Sequence, residues 1–209
     1  MSQPVLLSEI RGAVRLLTLN RPECRNALNG ELVEALTRDL VNLRAGGETR
    51  AVVITGAGDA FCSGADLSAL QRMRDAGVVE NGADSERLKA LYLAVLRCPL
   101  PVIAAVNGPA LAGGCGLATA CDFVLASEEA SFGYPEVKIG FVAAMVSVLL
   151  ARQLGDRAAR AMLLSGRPYT AVEARAIGLV EIVVSREALL DESLAQAQKL
   201  ASGAPGALA

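Results

Sequence analysis

The sequence predicts an α/β domain built on a substantially parallel sheet, and three observations carry that prediction. Apolar runs of strand length, "AVVITG", "PVIAAVNG" and "CDFVLAS", alternate with segments of helical periodicity. Two of these runs pass directly into loops of small residues and then into a helix start, "GAGDAFCSGADL" and "GPALAGGCGLA". The 209-residue chain is 53% hydrophobic, enough for a sizeable core in one domain or one domain with an appendage.

The elements follow in order. "VLLSEI" and "AVRLLTLN" flank Arg11-Gly12 and read as a hairpin, and "RPECRNALNG" is a loop. In "ELVEALTRDLVNLRAGG", Leu32, Leu36, Leu40 and Leu43 share one helical face, with Asn29 as cap and Gly46 as stop. "AVVITGAGDAFCSGADL" is a buried strand that runs into a glycine-rich loop and a helix start. "DAGVVENGADS", residues 75–85, reads as a mobile loop, and "DSERLKALYLAVLRC" as a helix ended by "PLP". "PVIAAVNG" and "CDFVLAS" are buried strands, and "SFGYPEVKIG" is a short strand and turn. "AAMVSVLLARQLG" and "DRAARAMLLSG" are helices. "TAVEARAIG" carries a capping box, Thr170 with Glu173, and ends at Gly178. "LVEIVV" is a strand, and a last helix runs from Arg186 to Ala201.

Composition excludes several classes of function. The net charge is −2 and the pI is near 5.3, so no basic excess points to nucleic acid or an acidic membrane. The opening "MSQPVLLSEIRGAVRL" lacks the pattern of a signal peptide, and "GFVAAMVSVLLA" is too short to span a bilayer. A cytoplasmic location is therefore expected. Five cysteines, an odd number without a CxxC pair, read as small buried residues in a reducing compartment. The chain has no histidine, so it cannot build a Ser-His-Asp or Cys-His site or a His-ligated metal centre. A serine hydrolase is thereby disfavoured. Proton transfer falls to Asp, Glu, Lys, Tyr or Cys, or to a partner chain.

The two glycine loops share one physical property. Backbone N–H groups at a helix start lack partners and attract negative charge. Two such ends facing one another meet the requirement for an oxyanion hole. Neither loop is a nucleotide signature: "GAGDAF" lacks the third glycine of GxGxxG, and no GxxxxGK[ST] occurs. For either loop alone, tight helix–strand packing is the stronger explanation of the glycines.

Five ordered stretches, "NRPECRNAL", "GAGDAFCSGADL", "AAVNGPALAGGCGLATACD", "FGYPEVKIG" and "AVEARAIGLV", resemble the enoyl-CoA hydratase/isomerase, or crotonase, family. The resemblance spans residues 10–185 and implies a crotonase-like spiral of ββα repeats over residues 1–185. Residues 186–209 then read as the start of a C-terminal helical region, short of the further helices with which family members usually continue. It also implies an acyl-CoA thioester substrate, with coenzyme A as part of the substrate and no metal or redox cofactor. A homotrimer or dimer of trimers is the implied assembly. The thioester carbonyl would sit between backbone N–H groups matching Ala65 and Gly113. Cys62, Ser63, Asp66 and Gly114 fall in the same two loops and are candidate substrate contacts. Arg25 is a candidate phosphate contact, with a solvated loop charge as the equal alternative. Tyr134 either lines the acyl pocket or packs in the core.

Family hydratases commonly use two glutamates, and this chain matches only one. The first position holds Gly116, which is expected to enlarge the pocket; the second holds Glu136, the expected acid/base. Taken from spacing alone, Glu136 would cap its turn or pair with Lys138. Asp66 is expected to cap the following helix, Asp122 to be a structural hydrogen-bonder, and Glu86 is a weak candidate to enter the pocket. Hydration of a 2-enoyl-CoA is the leading expectation. Double-bond isomerisation through Glu136 alone and non-catalytic acyl-CoA binding are the alternatives.

Overall fold

A computed structural model describes residues 3–44, 47–65 and 78–203. The expected helix stop Gly46 and the expected cap and substrate contact Asp66 lie outside the described residues. Strands β1 (Leu6–Arg11) and β2 (Val14–Leu19) form the anticipated antiparallel hairpin, turned at Gly12 with φ 63°. Helix α1 (Gly30–Val41) follows, capped by Asn29, whose Oδ1 accepts the Leu32 N–H at 2.9 Å. The chain continues through β3 (Ala51–Gly56), α2 (Val78–Leu96), β4 (Val102–Val106) and β5 (Ala110–Leu111). Next come α3 (Gly113–Ala120), β6 (Phe123–Ser127) and β7 (Ser131–Gly133). Then α4 (Ala144–Ser165), β8 (Tyr169–Thr170), α5 (Ala171–Ala176), β9 (Ile182–Val184) and α6 (Leu189–Ala201) complete the described elements.

The larger sheet has six strands in the order β1-β2-β3-β4-β6-β9, and every pairing after the first is parallel. A smaller sheet has the order β5-β7-β8. Strand β4 is buried along its whole length because both faces are covered. Alternation assigns its residues to two cores. Val102, Ala104 and Val106 join Leu32, Leu36 and Leu91 on one side; Ile103 and Ala105 join Leu189, Leu194 and Ala197 of α6 on the other.

Local signals place most boundaries. Thr170 Oγ1 accepts the Glu173 N–H at 3.2 Å, and Glu173 Oε2 accepts the Thr170 N–H at 2.9 Å, which closes the capping box. Gly155, at φ 76° and ψ 160°, breaks α4 into the two helical segments expected from sequence. Several boundaries differ: α1 ends at Val41, short of the expected stop at Gly46, β9 begins at Ile182 rather than Leu179, and α2 and α6 start elsewhere than expected. Residues 78–85, expected within a mobile loop, are the first part of α2. Extending a helix from a packed segment is cheaper than starting one, and a glycine such as Gly82 costs only about 1 kcal/mol there. The final helix begins at Leu189 instead of Arg186.

The two glycine-rich passages press against each other. The Cys62 N–H donates to the Pro109 carbonyl at 3.1 Å, and the Leu111 N–H donates to the Cys62 carbonyl at 2.9 Å. A Cβ on Gly114 would lie 2.2 Å from the Cys62 carbonyl oxygen, and one on Gly108 would lie 2.1 Å from that of Asp59. These two glycines therefore serve backbone-to-backbone contact. Two buried asparagines hold the first loop from either side. Asn26 Nδ2 donates to the carbonyls of Ala57 and Ala60 at 2.9 and 2.8 Å, while its Oδ1 accepts the Arg21 N–H at 2.9 Å. Asn107 Nδ2 donates to the Gly58 carbonyl at 2.9 Å, and its Oδ1 accepts the Gly56 N–H at 3.1 Å.

Gly114→Ala is expected to lower stability by about 1–3 kcal/mol through overpacking. Gly30→Ala, whose Cβ would meet nothing within 4 Å, is expected to be neutral or to stabilise by at most about 1 kcal/mol. Urea unfolding midpoints of the two variants check both statements.

Candidate active site

The site begins with two peptide groups. The Gly64 carbonyl accepts the Leu28 N–H at 2.7 Å. A planar trans peptide then turns the Ala65 N–H the opposite way. Gly64 has φ 92°, and a Cβ there would lie 2.8 Å from that of Ala112, so glycine is required at this turn. In the second passage the Ala112 carbonyl accepts the Gly116 N–H at 2.9 Å. The Gly113 N–H belongs to the same peptide and points out of the first turn of α3. Ala112 adopts φ 49° and ψ −123°, a conformation that costs about 1–3 kcal/mol for a residue with a Cβ and that the surrounding contacts enforce.

Ala65, Gly113 and Glu136 line one cavity of about 440 Å³, together with Ser63 and an apolar wall that includes Leu28, Leu88, Tyr92, Phe141 and Val146. Glu136 sits on a short 3-10 turn, Pro135–Ile139, closed by the αL residue Gly140. The Gly140 N–H donates to the Glu136 carbonyl, and the Phe141 N–H donates to it at 3.0 Å. The backbone therefore closes this turn without the side chain. Glu136 Oε2 is buried and has no hydrogen-bond partner among the described residues, and no described ion pair joins Glu136 to Lys138. Burial raises the Glu136 carboxyl above the ordinary carboxylate value, against a smaller opposing effect of its own backbone N–H. A carboxyl that holds its proton more firmly than usual is a candidate for proton transfer.

The remaining candidates divide. Ser63 lines the cavity, and its N–H donates to the Arg25 carbonyl at 3.0 Å. The Arg25 side chain is exposed, and the residue takes the αL conformation at φ 54°. Cys62 and Gly114 lie behind the cavity wall, fully or nearly fully buried. Burial pushes the Cys62 and Cys115 thiols up to about 12, so both stay protonated. Tyr134 is a core residue: its hydroxyl pairs with Thr119 Oγ1 at 2.8 Å, and it faces a separate space of about 370 Å³ next to Glu136. Asp122 Oδ2 accepts the Val102 N–H at 2.8 Å, as a structural hydrogen-bonder. Glu86 is exposed, pairs with Lys89 at 2.6 Å, and does not line the cavity.

Gly116 departs from expectation. A Cβ there would lie 2.6 Å from Tyr92 Oη and 2.5 Å from Val146 Cγ1. The space beside Gly116 is filled by these side chains, so the missing side chain does not enlarge the cavity. Sequence reasoning missed Tyr92, Asn26 and Asn107. The asparagines were visible inside "RNAL" and "AVNG", but the hydrogen bonds that make them necessary run between distant loops.

Ala65, Gly113 and the half-buried Glu136 thus border the same cavity. Residues 9–209 match the family described as enoyl-CoA hydratase/isomerase. A Thermus thermophilus relative whose name places it with the enoyl-CoA hydratases is 48% identical over 198 residues, 95% of this chain and 78% of its own. The (E)-benzylidenesuccinyl-CoA hydratase of Thauera aromatica is 37% identical over 211 residues, 97% of this chain and 78% of that protein. The crystal structure of an enoyl-CoA hydratase from Mycobacterium smegmatis matches with a TM-score of 0.93 at 35% identity, over 99% of this chain and 80% of that one. The chain belongs to the enoyl-CoA hydratase/isomerase family and has the crotonase fold.

The Glu136 shift has a definite sign in stability. Because its folded-state value is raised, the native state holds the proton longer than the unfolded chain does. Stability is then lost as pH rises from the ordinary value of 4.5 through the raised one. Glu136→Gln is expected to melt higher than wild type at mildly alkaline pH, with the difference shrinking as pH falls to 4.5. Thermal melts of both proteins across that range test this.

Proposed function

We propose that the protein adds water to a 2-enoyl-CoA thioester, with the Ala65 and Gly113 N–H groups receiving the thioester oxygen and Glu136 as the acid/base. The observation that carries this reading is the half-buried Glu136, whose Oε2 has no partner among the described residues, in the cavity that Ala65 and Gly113 also line. Water oxygen bonds to the β-carbon while the π electrons shift to the thioester oxygen. Glu136 takes a proton from that water and passes it to the α-carbon as the enolate collapses. Atoms and charge balance as the addition of one water. The backbone donors stabilise the enolate, and loss of one such donor typically costs about 3–4 kcal/mol.

An acyl-CoA substrate is the class the family implies, and the apolar wall of Leu28, Leu88, Phe141 and Val146 supports an aliphatic or aromatic acyl group. A trimer or dimer of trimers and a cytoplasmic location belong to the same reading. No helix among the described residues is long and apolar enough to cross a membrane. Isomerisation is a second reading, favoured by the presence of one carboxylate where two would divide the labour. It needs only Glu136 to carry a proton between two carbons of the enolate.

The test is a mass-resolved assay of purified protein with straight, branched and carboxylated 2-enoyl- and 3-enoyl-CoAs. Gain of one water from 2-enoyl substrates is expected, falling by about a hundredfold or more in Glu136→Gln. A shifted double bond without mass change would establish the isomerase instead. Tight thioester binding without turnover would leave a binding protein.

A further inference from the structure

Tyr92 lines the cavity and carries a hydroxyl that the steps above leave unused. The residue is only 3% exposed, yet it lines the cavity wall together with Gly113, Val146 and Glu136. Its hydroxyl donates to the Gly113 carbonyl at 3.0 Å. A phenol oxygen that has donated its hydrogen keeps lone pairs able to accept one from a second molecule. The same oxygen lies 2.6 Å from where a Gly116 Cβ would begin, so any larger residue at 116 would displace it. Glycine at 116 is thus the condition for a hydroxyl at this point. Tyr92 and Glu136 line the same cavity.

We propose that Tyr92 is a catalytic residue that holds the attacking water jointly with Glu136. The proposal rests on the hydratase reading. A water that donates one hydrogen to the Glu136 carboxylate and the other to Tyr92 Oη has its lone pair left for the β-carbon. Glu136 takes the proton and Tyr92 only accepts a hydrogen bond, so the proton balance is unchanged. Burial raises the Tyr92 hydroxyl well above its ordinary value, and the phenol stays neutral throughout. One carboxylate then suffices for hydration because orientation of the water, the second task, falls to a neutral oxygen.

The test is Tyr92→Phe in the full chain, which keeps the ring and removes only the oxygen. The substrate is whichever 2-enoyl-CoA wild type hydrates fastest in the panel above. The kcat for hydration is expected to fall about a hundredfold, the typical effect of a misplaced reacting group. KM and the dissociation constant for the saturated acyl-CoA are expected to stay near wild type, and the melting temperature to fall by no more than about 2–4 °C through loss of the bond to Gly113. A kcat within about threefold of wild type, below what an oriented reactant contributes, would overturn the proposal and leave the hydratase reading standing. So would a loss of kcat accompanied by weaker thioester binding and a larger fall in melting temperature, which marks a structural role. Absence of hydration by wild type on every substrate would overturn both.

Discussion

The close contact between two strand-to-helix passages is the constraint on which the site depends. The Cys62 carbonyl receives the Leu111 N–H, and Gly114 approaches it without a Cβ. With the backbones locked at that distance, the loop ending at Ala65 and the helix starting at Gly113 border one cavity. Neither N–H is aimed by its own side chain. Each is turned by the carbonyl on the other side of its peptide, one tied to Leu28 and the other to Gly116. Asn26 and Asn107 keep the first loop from relaxing, since each carries bonds that would be left unmade in a buried place.

That rigidity explains how the half-buried Glu136 carboxyl is tolerated. Glu136 lies on a turn closed by its own carbonyl, with Gly140 in the αL conformation, so the side chain is not needed to hold the turn. Its Oε2 stays buried without a partner among the described residues, a cost the surrounding fold sustains. The same burial favours the protonated form. A residue that is unfavourable for the fold is thereby suited to exchanging a proton, a division expected at functional sites.

The glycines of "NGPALAGGCGLATACD" do different jobs although they look alike in the sequence. Gly108 and Gly114 allow protein backbone to meet protein backbone. Gly113 borders the cavity, and a Cβ there would meet only the ends of the Leu28 and Tyr92 side chains, at 3.3 and 3.4 Å. Gly116 makes room for Tyr92 and Val146 from two other helices. The relatives bear on the fold and family; they do not separate these roles, which follow from distances inside this chain.

Much of this was legible from sequence, because it is written in local patterns. The alternating apolar runs determined a parallel α/β sheet, and the Asn29 and Thr170 caps determined two helix starts. The small residues before and after "SGAD" and "AGGC" marked the loops that border the cavity, and the motif order marked Glu136. The extent of α2 was not legible, because helix extension from its packed half outweighs the local weakness at Gly82. Nor was the fate of the space at Gly116. A missing side chain reads as an opening, but whether it is empty depends on what packs there, and only tertiary structure brings Tyr92 of α2 and Val146 of α4 to that point. Sequence determines which atoms are available and what local shape they prefer; contacts between distant elements, set by close packing, decide which atoms face the cavity.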